Sequence, residues 1–200
     1  MRLLVIRHGE TVSSRLGHFT GRADVALSER GREQAGQWRE ALTDFCRGEE
    51  VSVASSPLSR CIETSTAAGM TADVWPDLVE WDLGVLDGLS ADDHRRAHPE
   101  WNLFVDGPPK NSGERVHEVR ERAERVLARV TERGADAVLF THGQFAKVLV
   151  GVVLSLPAEA SSRFALGPAR GVLFLDRVQG KSLAGWNIAP SPERLWNGLS

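Results

Sequence analysis

Only two cysteines, Cys46 and Cys61, occur in 200 residues. That is too few for a disulfide framework, and the pair lacks the C-x-x-C spacing of a redox or zinc site, so both read as free thiols in a reducing compartment. An excess of positive charge is missing too, with 24 Lys+Arg against 27 Asp+Glu and a net charge of −3. A general nucleic-acid binder needs a basic face and a pI above about 9, whereas the sequence pI is about 6.1. A local arginine cluster can still oppose that average and take a small anion. No run approaches the roughly 18 apolar residues of a membrane span, and no apolar segment of signal-peptide length precedes Arg7. The expectation is a cytoplasmic protein with neither nucleic acid nor membrane as partner. Repeats, linkers and low-complexity segments are also missing.

What is present is an alternation of strand and helix. Apolar residues at 42% and charged residues at 26% fit an ordinary globular chain, expected as one domain over 1–200. Leu3-Leu4-Val5-Ile6 is short and continuously apolar, as in a strand buried on both faces of a parallel sheet. A helix is expected from Ser28 to Phe45, where Ala35, Trp38, Leu42 and Phe45 recur at helical steps. Val51–Ala54 reads as a second strand, with Ser56-Pro57 as the N-cap and first residue of a helix reaching Ala68. From Asp73 to Lys110 glycines and prolines break the pattern, and Ser90 to Asp93 resembles a capping box. An amphipathic helix is expected from Ser112 to Arg133 with an apolar stripe of Val116, Val119, Ala123, Val126, Leu127 and Val130. Ala137–Phe140 is a third apolar strand, followed by a helix from Phe145 to Leu154. Residues 172–175 and 183–188 suggest a hairpin turning through Gln179-Gly180-Lys181, and the tail after Pro190 is expected to be loose.

In open parallel α/β sheets ligands bind beyond the carboxyl ends of the strands. Three strand ends turn polar here: Arg7-His8-Gly9-Glu10, Ser55 to Arg60, and Thr141-His142-Gly143-Gln144. If those strands are neighbours, two histidines and two arginines converge. An imidazole can attack phosphorus and split one difficult displacement into two easier ones. Arginines supply paired donors for phosphate oxygens and for the charge of the transition state. The leaving alkoxide needs a proton, and Glu80 is the candidate donor, with Glu114 next and Asp82, Asp87 and Glu10 also near in sequence. His94 and His98 lie four apart but lack the glutamate of the H-E-x-x-H motif, so a solvated helix is the expectation. No metal and no cofactor is called for.

These residues stand in a larger pattern: RHGET at 7–11, GRADVALSERGREQA at 21–35, SSPLSR at 55–60, LVEWDLGVLDG at 78–88, SGE at 112–114 and THG at 141–143. In that order, over nearly the whole chain, they resemble the histidine phosphatase superfamily, the phosphoglycerate mutase-like proteins, and most of all its bacterial broad-specificity phosphatases. The resemblance implies a three-layer α/β/α sandwich with a mostly parallel central sheet. It makes His8 the phosphorylated nucleophile, has Arg7, Arg60 and His142 clamp the phosphoryl group, and makes Glu80 the proton donor that later activates water. Two positions depart from the pattern: Ser13-Ser14 stands where relatives often carry Trp-Asn, and Thr20 where many carry glutamine. Ser14, Thr20, Gly21, Gly143 and Gln144 remain the candidate substrate contacts. The span 80–113 reads as a lid, with 90–110 selecting the substrate; Trp101 is its candidate contact, and Trp81, Trp101 and Phe104 serve either as packing or as pocket wall.

The expected activity is hydrolysis of a small-molecule phosphate monoester through phosphohistidine, as in a histidine acid-type phosphatase. The alternatives are a phosphoglycerate mutase, disfavoured because 80–113 is short and lacks a basic stretch, and a catalytically silent phosphate-binding module. A homodimer is compatible with the sequence.

Overall fold

A strand sends successive side chains to opposite faces, so a continuous apolar run is what a sheet covered on both sides requires. A computed structural model describes residues 1–48, 50–177 and 180–191. Its strands are β1 (Arg2–Arg7), β2 (Val51–Ser55), β3 (Asp73–Val74), β4 (Asp136–Thr141), β5 (Gly171–Arg177) and β6 (Gly180–Ile188). They form one sheet in the order β3-β2-β4-β1-β5-β6. The first four in sequence run parallel, while β5 and β6 return antiparallel on one side. The hairpin read from 172–175 and 183–188 is present, but Gln179 of its turn lies outside the described residues, as does the expected loose tail beyond Ser191.

Helices α1 (Val12–Arg15), α2 (Glu29–Gly36), α3 (Trp38–Phe45) and α4 (Ser59–Ala67) lie in the first half of the chain. Helices α5 (Ala91–Ala97) and α6 (Leu103–Asp106) fall between β3 and β4, and α7 (Val116–Arg133) and α8 (Gly143–Val153) flank β4. Leu4, Ile6, Val138 and Phe140 point to the face covered by Trp38, Leu42 and Phe45 of α3 and Cys61 of α4. Leu3, Val5, Ala137 and Leu139 point to the opposite face, where Val119, Ala123 and Val126 of α7 and Phe145 and Leu149 of α8 pack. The result is the α/β/α sandwich.

One expected helix is divided, and another starts later than expected. Ser28 does cap α2, its side chain accepting from the Gly31 N–H, but the helix divides at Gly36-Gln37 into α2 and α3. Glycine holds helical geometry least well of the non-proline residues. Ser56-Pro57 does not open α4, whose N-cap is Leu58. The Ser56 hydroxyl instead meets His142 Nε2 at 2.7 Å, so the side chain that would cap the helix is committed to the site. Ser90 caps α5 as expected, its Oγ accepting from the Asp93 N–H.

The nucleophile loop after β1 is placed by a backbone contact that explains two motif glycines. A Cβ on Gly31 would lie 2.1 Å from the Glu10 carbonyl oxygen, and one on Gly9 would lie 2.3 Å from the Gly31 carbonyl oxygen. Backbone meets backbone there, and neither side can retreat. Gly31→Ala is therefore expected to lower stability by about 1–3 kcal/mol, the cost of overpacking, although alanine is the better helix former. Gly36→Ala in the same helix, whose new Cβ would meet only the Ala67 carbonyl at 3.9 Å, should gain up to about 1 kcal/mol. Urea midpoints moving in opposite directions for the two variants check this; a shift of the same sign would mean that helix propensity alone governs both.

Candidate active site

The three polar strand ends come together because β2, β4 and β1 are neighbours in the sheet. His8 continues the ladder, donating its backbone N–H to the Thr141 carbonyl at 2.9 Å. Its ring Nδ1 lies 2.7 Å from the Gly9 carbonyl oxygen. A carbonyl can only accept, so Nδ1 carries the proton and the lone pair sits on Nε2. Burial, then the charges of Arg7 and Arg60, hold the His8 pKa well below the usual imidazole range. The ring is thus neutral with Nε2 available. Gly9 is fixed in turn, its N–H donating to Thr64 Oγ1 of α4 at 3.0 Å.

A cavity of about 190 Å³ opens over this loop, and Arg7, His8, Ser14, Thr20, Glu80, Gly143 and Gln144 all lie in its wall. Arg7 donates through Nη1 to the Leu166 carbonyl at 2.5 Å, while its buried Nε has no partner among the described residues. An unpartnered N–H of a buried guanidinium is a receptor for an anionic oxygen. A Cβ at Gly143 would lie 3.2 Å from that Nε, so glycine keeps the approach to it open.

Glu80 is 4% exposed. Its Oε1 accepts from the backbone N–H groups of Trp81 and Phe145, both at 2.8 Å, and its Oε2 accepts from that of Gln144 at 3.1 Å. The carboxyl group therefore sits on the first turn of α8, where its oxygens take N–H groups that the helix leaves without an intrahelical partner. Glu114, the next candidate, is held by Arg122 through Nε at 2.9 Å and Nη2 at 2.7 Å. Glu10 bonds Ser28 at 2.9 Å, Asp87 takes the Gly21 N–H, and Asp82 takes the Gly84 N–H at 3.0 Å. Of these five carboxylates, Glu80 is the one in the cavity wall.

The four clamp candidates divide into two pairs. His8 and Arg7 border the cavity, whereas Arg60 and His142 lie behind them, 1% and 0% exposed. Arg60 donates from Nε to His142 Nδ1 at 3.1 Å, from Nη1 to the Ala23 carbonyl at 2.8 Å and from Nη2 to the Gly21 carbonyl at 2.9 Å. A guanidinium cannot accept, so His142 Nδ1 holds a lone pair and Nε2–H donates to Ser56. Burial, Arg60 and His8 together keep the His142 pKa well below the usual range. Its ring meets that of His8 edge-on, centroids 5.3 Å apart. Gly21 is likewise behind the wall, tying Arg60 and Asp87.

The Ser14 hydroxyl donates to the Thr11 carbonyl at 3.0 Å and accepts the Thr11 N–H at 2.9 Å. Thr20 Oγ1 donates a long bond, 3.5 Å, to the His18 carbonyl, and its oxygen accepts from none of the described residues at the wall. A second cavity, about 350 Å³, adjoins the first and is walled by Trp101, Phe104 and Leu103. Trp81 is instead wholly buried, donating to the Glu114 carbonyl at 2.8 Å. The helix of His94 and His98 has no buried residue and His98 is exposed, while His94 is half-buried, its ring 4.6 Å from that of Trp101 and 5.9 Å from that of Phe19. Among the described residues no three His, Cys, Asp or Glu side chains gather as a metal site, and no helix is long and apolar enough to cross a membrane.

Sequence reasoning passed over Lys147 and Arg95, both in the wall shared by the two cavities. Lys147 left a signal: it is the one charged residue of α8, GQFAKVLVGVV.

A sequence profile of the Histidine phosphatase superfamily (branch 1) matches residues 3–189. An acid phosphatase of Mycobacterium tuberculosis is 35% identical over 171 residues, 84% of this chain and 83% of that protein. A probable phosphoglycerate mutase of Erwinia tasmaniensis is 28% identical over 199 residues, 94% of this chain and 91% of its own length. Among solved structures, the product of an open reading frame of Mycobacterium tuberculosis superposes with a TM-score of 0.89 at 32% identity, covering 95% of this chain and 98% of that one. By profile, by relatives and by fold, the chain belongs to the histidine phosphatase superfamily.

Proposed function

We propose that the protein is a phosphomonoesterase acting on small phosphorylated metabolites through a phosphohistidine at His8. The observation that carries this reading is the state of His8: neutral, proton locked on Nδ1, Nε2 free, beside an unpartnered Arg7 donor and the Glu80 carboxyl group. In the first step Nε2 attacks phosphorus, the P–O ester bond breaks, and the leaving oxygen takes a proton from Glu80. In the second, water attacks phosphorus, the P–N bond breaks, and Glu80 takes the water proton. Glu80 Oε2, with one N–H partner against two on Oε1, is the oxygen better placed to carry that proton. Arg7 binds the equatorial oxygens, and the charge of Arg60 offsets their growing negative charge from behind. Ser14, Thr20, Gly143 and Gln144 border the bound group, and the 80–113 span, with Trp101, closes the outer end where the alcohol lies.

The test is phosphate release, without added metal, from a panel of phosphomonoesters that includes 3-phosphoglycerate with and without 2,3-bisphosphoglycerate. Release from several esters is expected. Interconversion of 3- and 2-phosphoglycerate without release would make the protein a mutase, and silence in both assays a binding module.

A further inference from the structure

Where the two cavities meet, the structure half-buries a cation and, among the described residues, gives it no counterion. Lys147 rises from the second turn of α8, and among the described residues its Nζ has one hydrogen-bond partner, Gln144 Oε1 at 3.4 Å. Among the described residues no carboxylate lies within ion-pair distance of it. The Phe104 ring centre is 5.8 Å away. An ammonium carries three donors, and removing it from water without pairing is costly. Burial, with Arg7 next, brings its pKa down to about 8. Such a group is primed for an anion, and its place fixes whose anion that is. The smaller cavity over His8 is where the transferred phosphoryl group belongs. Lys147 stands at the boundary with the larger one, which takes what lies beyond the ester oxygen. Arg95 shares that boundary but is exposed and paired with Asp92 at 2.8 Å, one turn away on its own helix. It adds positive potential more than a fixed contact.

We propose that Lys147 is a specificity-determining residue that pairs with a second anionic group, a carboxylate or a second phosphate, on the alcohol half of the substrate. This rests on the phosphomonoesterase reading for which end of the ligand faces His8. It adds a requirement that reading does not contain: esters of neutral alcohols are poor ligands. The charged groups around Lys147 are Arg7 from β1, Glu80 from the segment after β3, Arg95 from α5 and Glu100 from the wall of the larger cavity. Glu80 is already occupied by three backbone N–H groups, so the ammonium remains available to a ligand. Because the Lys147 charge is lost as pH rises through about 8, while a carboxylate and a phosphate monoester stay fully ionised, the preference weakens on the alkaline side.

Equilibrium binding to the His8→Ala protein tests this without turnover, so its outcome is separate from whether the native protein releases phosphate. Titration calorimetry would compare 3-phosphoglycerate, glycerol 3-phosphate and glycerol 1,3-bisphosphate, which share the phosphoryl end and differ in one group at the other. At pH 7 at least one of the two ligands with an anionic group at both ends should bind tenfold or more tighter than glycerol 3-phosphate, and the larger gain identifies the anion. Adding Lys147→Met should bring all three within about twofold, Lys147→Arg should keep most of the preference, and measurement at pH 9 should shrink it. Equal affinities at pH 7, a preference that survives Lys147→Met, or no binding of any of the three overturns the proposal.

Discussion

Replacing His8 with alanine is expected to lower the turnover number for phosphate release by at least about 1,000-fold, because removing the nucleophile leaves only binding and electrostatics to act on the ester. The folded protein should survive the change, since the imidazole makes one hydrogen bond, to the adjacent Gly9 carbonyl. Native enzyme quenched in alkali during turnover should carry the substrate's phosphoryl group on His8, stable to base and lost in acid, and the variant should carry none. Turnover within tenfold of native, or label on another residue, would remove His8 from the reaction. The pH behaviour follows from the same geometry. Since burial, Arg7 and Arg60 depress the His8 pKa, the ring stays neutral as pH falls through 6.5, and kcat/KM should show no loss of the nucleophile there. Stability has the opposite sensitivity. Below about pH 6.5 the unfolded chain binds protons that folded His8 and His142 do not, so the protein should lose stability as pH drops through that value.

The sheet was legible because its physics is local. Leu3 to Ile6 and Ala137 to Phe140 are apolar at every position, and only a sheet covered on both faces uses both sets. That the ends of β1, β2 and β4 are polar was equally readable, and their adjacency made the convergence real. What the sequence could not display is which side of a residue is already taken. Ser56 looked like a helix cap, but its hydroxyl is engaged by His142. Arg60 and His142, expected as part of a phosphoryl clamp, also hydrogen-bond each other, Ser56 and the 21–23 backbone, a set of partners no local pattern displays. Glycines 9 and 31 were visible only as motif letters. Their reason is a backbone approach between segments more than twenty residues apart, which no local pattern encodes.

Arg122 is the largest case of a residue hidden by its own helix, and it carries the second large effect. On α7 it lies beside the apolar stripe, in a charged segment where arginine ordinarily means solvent. It is nevertheless 5% exposed. Its guanidinium forms a fork with both Glu114 oxygens and donates from Nη1 to the carbonyls of Asp77 at 2.8 Å and Val79 at 2.6 Å. It also stacks 4.5 Å over the Phe145 ring. Arg122→Met fills similar volume but strands the half-buried Glu114 carboxylate from its forked partner, leaving it Arg22 at 3.7 Å, and takes the donor from two carbonyls, so stability should fall by about 3 kcal/mol. In a chain of this size that is a drop in Tm on the order of 10 °C. Adding Glu114→Leu removes the stranded charge and should return part of the loss, a coupling that a double-mutant cycle reads directly. The same carbonyls belong to the segment that delivers Glu80 to the first turn of α8. At a temperature where Arg122→Met is still folded, its turnover number should therefore fall by about tenfold to 100-fold through misplacement of the acid. A destabilised variant with native turnover would show that the three N–H groups of Trp81, Gln144 and Phe145 position Glu80 unaided, and that Arg122 serves the fold alone.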